Sequence, residues 1–241
     1  MSRLRTALRD AAQRWPFAAR VLASAAARLC SERALARLAR SRWEAIPDFA
    51  EEGLLRSGLM DFERPYAHLP SGSRVAVVGC GGGREMLALR PLGYRLDGVD
   101  VSPACVEKAR AELGAGAGVY LADAADFIFP GEPYDAFIFS WFTYGYIPGA
   151  GRRVRALRNA RARLKPGGAL FISVNPALRE DMALAPASGD VLSRDLIYEH
   201  RFTREGLARE AREAGFELAE WSCDKDGTPP ACLAVLRLKV L

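Results

Sequence analysis

Hydrophobic positions along the chain follow two different patterns, and the change comes near residue 74. Before it, apolar residues recur three to four positions apart in a stretch rich in Ala, Leu and Arg, which is the spacing of one helix face. This spacing predicts two or three helices over residues 2–45, with further short helices as far as Leu69. Pro70-Ser71-Gly72 is a turn signal. We therefore divide the chain into an N-terminal helical extension, residues 1–70, which we expect to form a lid, and a second domain, residues 71–241.

From Arg74 onward, short apolar runs alternate with helix-like segments. The seven runs predicted as strands are Val75–Val78, Arg95–Val99, Val119–Leu121, Ala136–Phe139, Ala169–Val174, Phe216–Trp221 and Cys232–Leu238. The helices predicted between them are Arg84–Leu92, Pro103–Leu113, Ala150–Leu164 and Arg204–Ala214. This alternation is typical of an α/β fold whose mostly parallel sheet is covered on both faces. Only a short loop joins the last two runs, so they must form an antiparallel pair.

Polar and special residues support these boundaries. Ser102 precedes Pro103 and can cap the helix that the proline begins. Thr203 can cap the last helix, which Gly215 ends. The segment Pro166-Gly167-Gly168 is expected to stop the preceding helix and turn the chain into a strand.

The first predicted strand runs directly into the glycine-rich segment Gly79-Cys80-Gly81-Gly82-Gly83, and a helix follows. Glycines allow a tight turn and let a ligand approach the backbone closely. The loops of NAD and FAD proteins have the related pattern G-x-G-x-x-G, whereas the third glycine here comes one position earlier. The segment therefore predicts a nucleotide-type cofactor without settling which one.

Two acids follow the next two strands. Asp100 ends the second strand, about 20 residues after the first glycine, where a carboxylate can accept hydrogen bonds from both ribose hydroxyls. Asp123 follows the third strand, where a carboxylate can accept a hydrogen bond from an adenine amino group. The pair indicates an adenosine ligand.

Together these features resemble the class I S-adenosylmethionine-dependent methyltransferase family, over residues 74–241. The segment Tyr134–Ile138 is similar to the family's fourth strand, and Leu164–Leu170 (LKPGGAL) to its signature before the fifth. The resemblance implies a three-layer Rossmann-like fold, a seven-stranded sheet with one antiparallel strand, and S-adenosylmethionine as cofactor. The cofactor-binding residues that it implies are Gly79, Cys80, Gly81, Gly83, Asp100, Val101, Asp123, Ala124 and Ser140.

The chain departs from the family pattern at one position. The family usually has an acid two residues before the first glycine, and this chain has Val77 there. Backbone groups, or Arg84 and Glu85, can substitute for that acid at the amino acid end of the cofactor.

The resemblance implies an enzyme that transfers a methyl group to an O or N atom of a small-molecule acceptor. The sulfonium is an activated donor, so alignment supplies much of the catalysis, about 7–11 kcal/mol, and no metal is required. A hydroxyl acceptor would benefit from a general base. His200 or Tyr198 can act as that base or orient the acceptor, and Tyr144 belongs to an aromatic segment that borders the acceptor in this family. For all three, packing is the alternative interpretation.

Charge is unevenly distributed. The net charge is +5, but residues 1–45 alone carry +7 and the remainder −2. A nucleic-acid enzyme would more often carry a basic face on its catalytic body, so we do not expect a nucleic-acid partner. The arginines of the helix over residues 152–163 are interpreted as its solvent face, with an RNA or phosphate contact as the alternative.

Two other functions stay open. One is an RNA or protein methyltransferase that uses the Arg-rich N-terminal segment, and the other is an S-adenosylmethionine-binding protein with non-methylating chemistry. The five cysteines are scattered, so we expect free thiols. Neither a secretory signal nor a membrane span is indicated, which favours the cytoplasm. A homo-oligomer is left open.

Overall fold

The computed structural model describes residues 30–45, 51–177, 189–192, 197–224 and 230–239. The helices predicted before residue 30 lie outside this part of the chain. Helix α1 spans Glu32–Glu44 and is capped by Ser31, whose hydroxyl accepts a hydrogen bond from the Ala34 amide. Helix α2 spans Glu52–Leu55, and a 3₁₀ helix spans Asp61–His68. The N-terminal region is helical where it is described, as predicted.

Seven strands form one sheet in the order β3-β2-β1-β4-β5-β9-β8. Their bounds are β1 Arg74–Val78, β2 Arg95–Asp100, β3 Gly118–Leu121, β4 Tyr134–Phe139, β5 Leu164–Val174, β8 Phe216–Asp224 and β9 Ala231–Leu238. Strand β9 lies antiparallel between β5 and β8, while β1 to β5 pair in parallel. The predicted seven-stranded sheet with one reversed strand is confirmed.

Helices cover both faces of this sheet. Their bounds are α3 Arg84–Leu89, α4 Pro103–Leu113, α5 Thr143–Tyr146, α6 Ala150–Arg161 and α7 Arg204–Glu213. Ser102 and Thr203 cap α4 and α7 as predicted, since their hydroxyls accept from the Cys105 and Gly206 amides. One core packs α6 and α7 on the sheet, and a second packs α3, α4 and the 3₁₀ helix on its other face. These are the three layers expected of the fold.

The LKPGGAL segment differs from the prediction. Helix α6 ends at Arg161 and β5 begins at Leu164, so Pro166 and Gly167 lie inside the strand instead of before it. The pairing with β4 explains this, because Tyr134 faces Leu164 whereas Ala136 already faces Ala169. Three extra residues of β5 therefore bulge out between two paired positions.

A small antiparallel hairpin, β6 Asp190–Leu192 with β7 Tyr198–His200, was not predicted. Three residues per strand are too few to show a period of two in the sequence. The hairpin lies against α1, because Tyr198 packs with Leu35 and Ala39.

The expectation of five free thiols is wrong for two of them. Cys223 and Cys232 form a disulfide with a Cα–Cα distance of 4.0 Å. They are directly opposite each other in the β8–β9 pair, a register that sequence spacing alone does not reveal. Cys30 is an exposed free thiol, and Cys80 and Cys105 are buried ones. Among the helices of the described segments, none is long and apolar enough to cross a membrane.

Candidate active site

A cleft opens at the carboxyl ends of β1, β2, β3 and β4, with about 860 Å³ of empty space including its mouth. Its lining comes from the glycine-rich segment, from the ends of β2 and β3, from the turn after β4, and from α1 and α6. The lining residues used below are Ala36, Ala39, Arg40, Trp43, Gly79, Gly81, Asp100, Val101, Asp123, Ala124, Trp141, Thr143, Tyr146 and Arg152.

The glycine-rich segment forms the floor of the cleft. Gly79, Gly81 and Gly83 have φ angles of +72°, +52° and +99°, which favour glycine. The amides of Gly79 and Cys80 both donate to the Val99 carbonyl and so tie the segment to β2. A Cβ at Gly79 would overlap the Thr143 side chain, so the backbone and that side chain already touch. Gly79 is therefore required by its positive φ angle and by the close contact with Thr143.

Asp100 holds the glycine-rich segment in place. Its Oδ2 accepts from the Gly81 amide at 2.9 Å, and its Oδ1 accepts from the Ser102 amide at 2.9 Å. Burial raises the pKa of Asp100, while the backbone donors oppose that rise. Each carboxylate oxygen has a second lone pair, so Asp100 can still accept from a ligand. Val101 lies next to it in the cleft wall.

Asp123 lies at the other side of the cleft and is already engaged. Its Oδ1 accepts from the Ala125 amide at 3.0 Å, and its Oδ2 pairs with the Arg152 guanidinium at 2.7 Å. The sequence pattern did not indicate Arg152 as a cleft residue, because the arginines of α6 were all interpreted as lying on the solvent face. That assignment is also wrong for Arg153, which is only 2% exposed.

The turn after β4 is strained. Trp141 and Phe142 have φ angles of +39° and +62°, which cost non-glycine residues of the order of 1–2 kcal/mol each. Hydrogen bonds hold the turn: Ser140 N donates to Val78 O at 3.0 Å, and Phe142 N donates to Ser173 Oγ at 3.1 Å. Such outliers cluster at functional sites. The turn places the Trp141 ring in the cleft.

Behind this turn lies a buried group of three charged residues, Glu63, Arg84 and Glu85, which we call the ion cluster. Arg84 binds both Glu63 oxygens, at 2.7 and 2.6 Å, and also Glu85 at 2.5 Å. The Ser140 hydroxyl donates to the same Glu85 carboxylate. Burial raises the pKa of Glu85 to about 7, against the lowering effect of Arg84. The Arg84 guanidinium also lies 4.8 Å from the centre of the Trp141 ring.

Helix α1 forms a further wall of the cleft. Ala36, Ala39, Arg40 and Trp43 line it, and the Trp43 ring lies 4.6 Å from that of Tyr146. Arg40 pairs with Glu44 at 2.8 Å. Helical spacing predicted α1, but no local signal indicated which of its residues line the cleft.

The three predicted catalytic residues belong to a separate polar network. Asp190 Oδ1 lies 2.7 Å from His200 Nδ1 and accepts from the Tyr198 hydroxyl at 2.6 Å. The Arg153 guanidinium donates to the Tyr198 hydroxyl and to Glu210 on α7. The Tyr144 hydroxyl donates to the same Glu210 carboxylate at 2.7 Å. Within the described ranges, none of the three lines the cleft. The structure thus joins them to one another and not to the cofactor-binding residues.

No group of three or more His, Cys, Asp or Glu that could hold a metal ion exists within the described residues.

Comparisons with known proteins agree with this geometry. Residues 49–220 match the model of a family described as "Methyltransferase domain". Among curated relatives, a ubiquinone biosynthesis O-methyltransferase from Thiobacillus denitrificans is 31% identical over 197 residues, covering 76% of this chain and 81% of that protein. One with the same name from Burkholderia pseudomallei is 29% identical over 192 residues, with the same coverage.

Solved structures share the fold. The CcbJ methyltransferase from Streptomyces caelestis is 21% identical, covers 81% of this chain and 91% of that chain, and has a TM-score of 0.60. A Burkholderia thailandensis 1,6-didemethyltoxoflavin-N1-methyltransferase, solved with S-adenosylhomocysteine, is 17% identical with a TM-score of 0.69. It covers 88% of this chain and 92% of that chain.

Fold, cleft and family match define the class: this chain belongs to the S-adenosylmethionine-dependent methyltransferases. S-adenosylmethionine is its cofactor, and the residues present fit it. A side chain at Gly79 would overlap Thr143, and Asp100 retains acceptor capacity beside the glycine-rich segment.

Proposed function

We propose that the protein transfers the methyl group of S-adenosylmethionine to an O or N atom of a small-molecule acceptor. The observation that carries this proposal is a single cleft that combines the adenosine-type acids Asp100 and Asp123 with the aromatic side chains Trp43, Trp141 and Tyr146. Aromatic walls with few polar groups are typical of small-molecule sites. The name of the curated O-methyltransferase relatives supports an oxygen acceptor.

Each predicted cofactor residue has a proposed role. Asp100 accepts from the ribose hydroxyls, and Asp123 accepts from the adenine amino group, with Val101 and Ala124 flanking the base. The backbone of Gly79, Cys80, Gly81 and Gly83 lets the ligand approach, and Ser140 contacts its amino acid end. Support comes from the position of these residues around or immediately behind one cleft.

The cofactor supplies an activated methyl group on its sulfonium, so the chain's own residues mainly bind, orient and exclude water. Asp100 and Asp123 fix the adenosine end. Trp141, held by the strained turn and by Arg84, presents an aromatic face that can stabilise a cation. Helix α1 shields the cleft from water and acts as a lid, a role that we assign to the N-terminal extension as a whole.

The alternative acceptors are RNA and protein. The arginines of α6 argue against RNA, because four of them pair with carboxylates instead of forming a free basic face. These pairs are Arg152–Asp123, Arg153–Glu210, Arg155–Asp126 and Arg158–Glu213. The cytoplasmic location, the oligomeric state and the domain division at residue 70 stay predictions.

The test is methyl transfer from S-[methyl-³H]adenosylmethionine by the purified full chain. Separate reactions contain phenols, heteroaromatic and aliphatic amines, total RNA, or total protein. We expect label in a small molecule and stoichiometric S-adenosylhomocysteine. Label only in RNA or protein would overturn the proposed acceptor class. Tight cofactor binding with no transfer to any acceptor would instead indicate non-methylating chemistry.

We further propose that His200, which lies outside the cleft lining, acts as the general base for a hydroxyl acceptor that extends to it, with Tyr198 and Tyr144 as positioning residues in the network behind it. Asp190 binds Nδ1, which leaves Nε2 to accept a proton. The His200 carbonyl also packs closely on Gly145, the neighbour of Tyr146 in the cleft wall.

Replacing His200 by glutamine should lower kcat by about 100-fold or more, because a positioned base contributes about 10²–10⁴-fold. The measurement is kcat for both proteins, with the melting temperature as control. A variant with unchanged kcat and a lower melting temperature would assign His200 a purely structural role.

A further inference from the structure

The order of the strands locates the amino acid end of the cofactor. The cleft crosses the carboxyl ends of β3, β2, β1 and β4 in that order. If Asp123 after β3 binds the adenine and Asp100 after β2 binds the ribose, the rest of the ligand must extend towards β1 and β4. Gly79 follows β1, and Ser140 to Thr143 follow β4. The cofactor carries an ammonium group on this end.

The ion cluster behind Ser140 has an unbalanced charge. With all groups ionised, it contains two carboxylates and one guanidinium. Arg84 already binds Glu63, Glu85 and the Gly58 carbonyl through both of its terminal nitrogens. Glu63 also accepts from the Met60 amide at 2.8 Å, whereas the side-chain partners of Glu85 within the described residues are Arg84 and the Ser140 hydroxyl. The surplus negative charge therefore resides at Glu85, which the Ser140 hydroxyl connects to the turn after β4.

Within the described residues, Arg84 is the cation that acts most strongly on Glu85. Its own helix contributes Arg84, the 3₁₀ helix contributes Glu63 and Tyr66, and the glycine-rich segment contributes the buried Cys80 thiol. The Tyr66 hydroxyl is fully buried beside the two carboxylates and has no hydrogen-bond partner within the described residues. A buried, uncompensated carboxylate is costly unless a cation pairs with it. A cation supplied by a bound ligand would compensate this charge.

We infer that Glu85, acting through the Ser140 hydroxyl, provides the negative charge that holds the ammonium group of S-adenosylmethionine. A serine hydroxyl can accept from an ammonium while it donates to a carboxylate. Glu85 thereby replaces the acid that this chain lacks at Val77, and it is a positioning residue because it acts through Ser140. The inference rests on the cofactor and is independent of the acceptor proposed above.

A proton is released when the ligand binds. The pKa of Glu85 is raised to about 7 by burial, so about half of the cofactor-free protein carries the proton at that pH. An ammonium group stabilises the ionised carboxylate and expels the proton to the buffer. Affinity for an ammonium-bearing ligand should therefore fall by about tenfold from pH 8 to pH 6.

The test is calorimetric titration of the full chain with two stable ligands. S-adenosylhomocysteine carries the ammonium group, and 5′-methylthioadenosine lacks the whole amino acid end. For the first we expect the tenfold pH effect and release of about half a proton at pH 7, measured in buffers of different ionisation enthalpy. For the second we expect neither. Equal pH dependence for both ligands would overturn the inference.

Glu85→Gln should weaken S-adenosylhomocysteine binding by about 10–100-fold at pH 8, the range of one hydrogen-bonded charge. It should also abolish the pH effect and leave 5′-methylthioadenosine binding unchanged. Glu85→Asp should restore part of the affinity, and Glu107→Gln, which removes an exposed glutamate of α4, should behave as wild type.

If Glu85→Gln does not fold, Ser140→Ala and the two-ligand comparison on the wild type decide the matter. A Ser140→Ala variant with the full pH effect would overturn the relay through Ser140. If neither ligand binds, the cofactor site itself fails, which is distinct from a failure of the acceptor proposal.

Discussion

Replacing Asp100 by alanine is expected to weaken S-adenosylmethionine binding by at least about 100-fold. A hydrogen bond to a charged group contributes about 1.5–3 kcal/mol. The substitution would remove the two hydrogen bonds that we propose between Asp100 and the ribose hydroxyls. The variant also leaves the Gly81 and Ser102 amides without their acceptor, which loosens the glycine-rich segment. Calorimetric titration measures the affinity, and circular dichroism checks that the fold persists.

Asp135 offers a matched control for this variant. It also accepts a backbone hydrogen bond, from the Arg74 amide at 2.8 Å, and it pairs with Lys165. However, it lies at the amino end of β4, whereas the cleft lies at the carboxyl ends of the strands. Asp135→Ala should therefore lower stability without changing cofactor affinity. Folded Asp100→Ala protein with wild-type affinity would contradict the role assigned to Asp100.

Replacing Glu210 by alanine should cost about 3–5 kcal/mol of unfolding free energy, because it leaves the Arg153 charge buried without a partner. Glu210 binds the Arg153 guanidinium at 2.6 Å and also accepts from Tyr144, and Arg153 is 2% exposed. The measurement is urea unfolding monitored by circular dichroism. The unfolding free energies of variant and wild type are compared with one shared value for their dependence on urea concentration.

Two further variants show whether burial causes this loss. Arg153→Met combined with Glu210→Leu removes both charges, so most of the lost stability should return. Glu213→Ala breaks the exposed Arg158–Glu213 pair and should change stability by no more than about 1 kcal/mol. A Glu210→Ala variant that is as stable as Glu213→Ala would contradict the importance of the buried pair.

Most of the sheet could be predicted from the sequence because its signals are local. Apolar runs marked all seven strands to within a few residues, and Ser102 and Thr203 marked the starts of their helices. The glycine-rich segment and Asp100 were recognisable because the chemistry requires fixed spacings after a strand. The structure brings them into one cleft, as the pattern indicated.

The remaining parts of the site depend on tertiary packing. Trp43 and Arg40 enter the cleft because α1 packs over it, and Thr143 does so because it abuts Gly79. The two neighbouring arginines Arg152 and Arg153 look alike in the sequence. Their partners, Asp123 and Glu210, lie on other elements of the fold, and only the structure distinguishes them from solvated charges.

The position of β9 has a consequence for biosynthesis. This strand lies between β5 and β8, and its residues from Ala231 to Leu236 are all buried. A ribosome adds these residues after every other strand of the sheet has been made. Until then the nascent chain exposes an open edge at β5, and β8 has no strand to pair with. Such unpaired edges attract other chains. We therefore expect chaperone dependence to be greatest while residues 231–238 are still inside the exit tunnel.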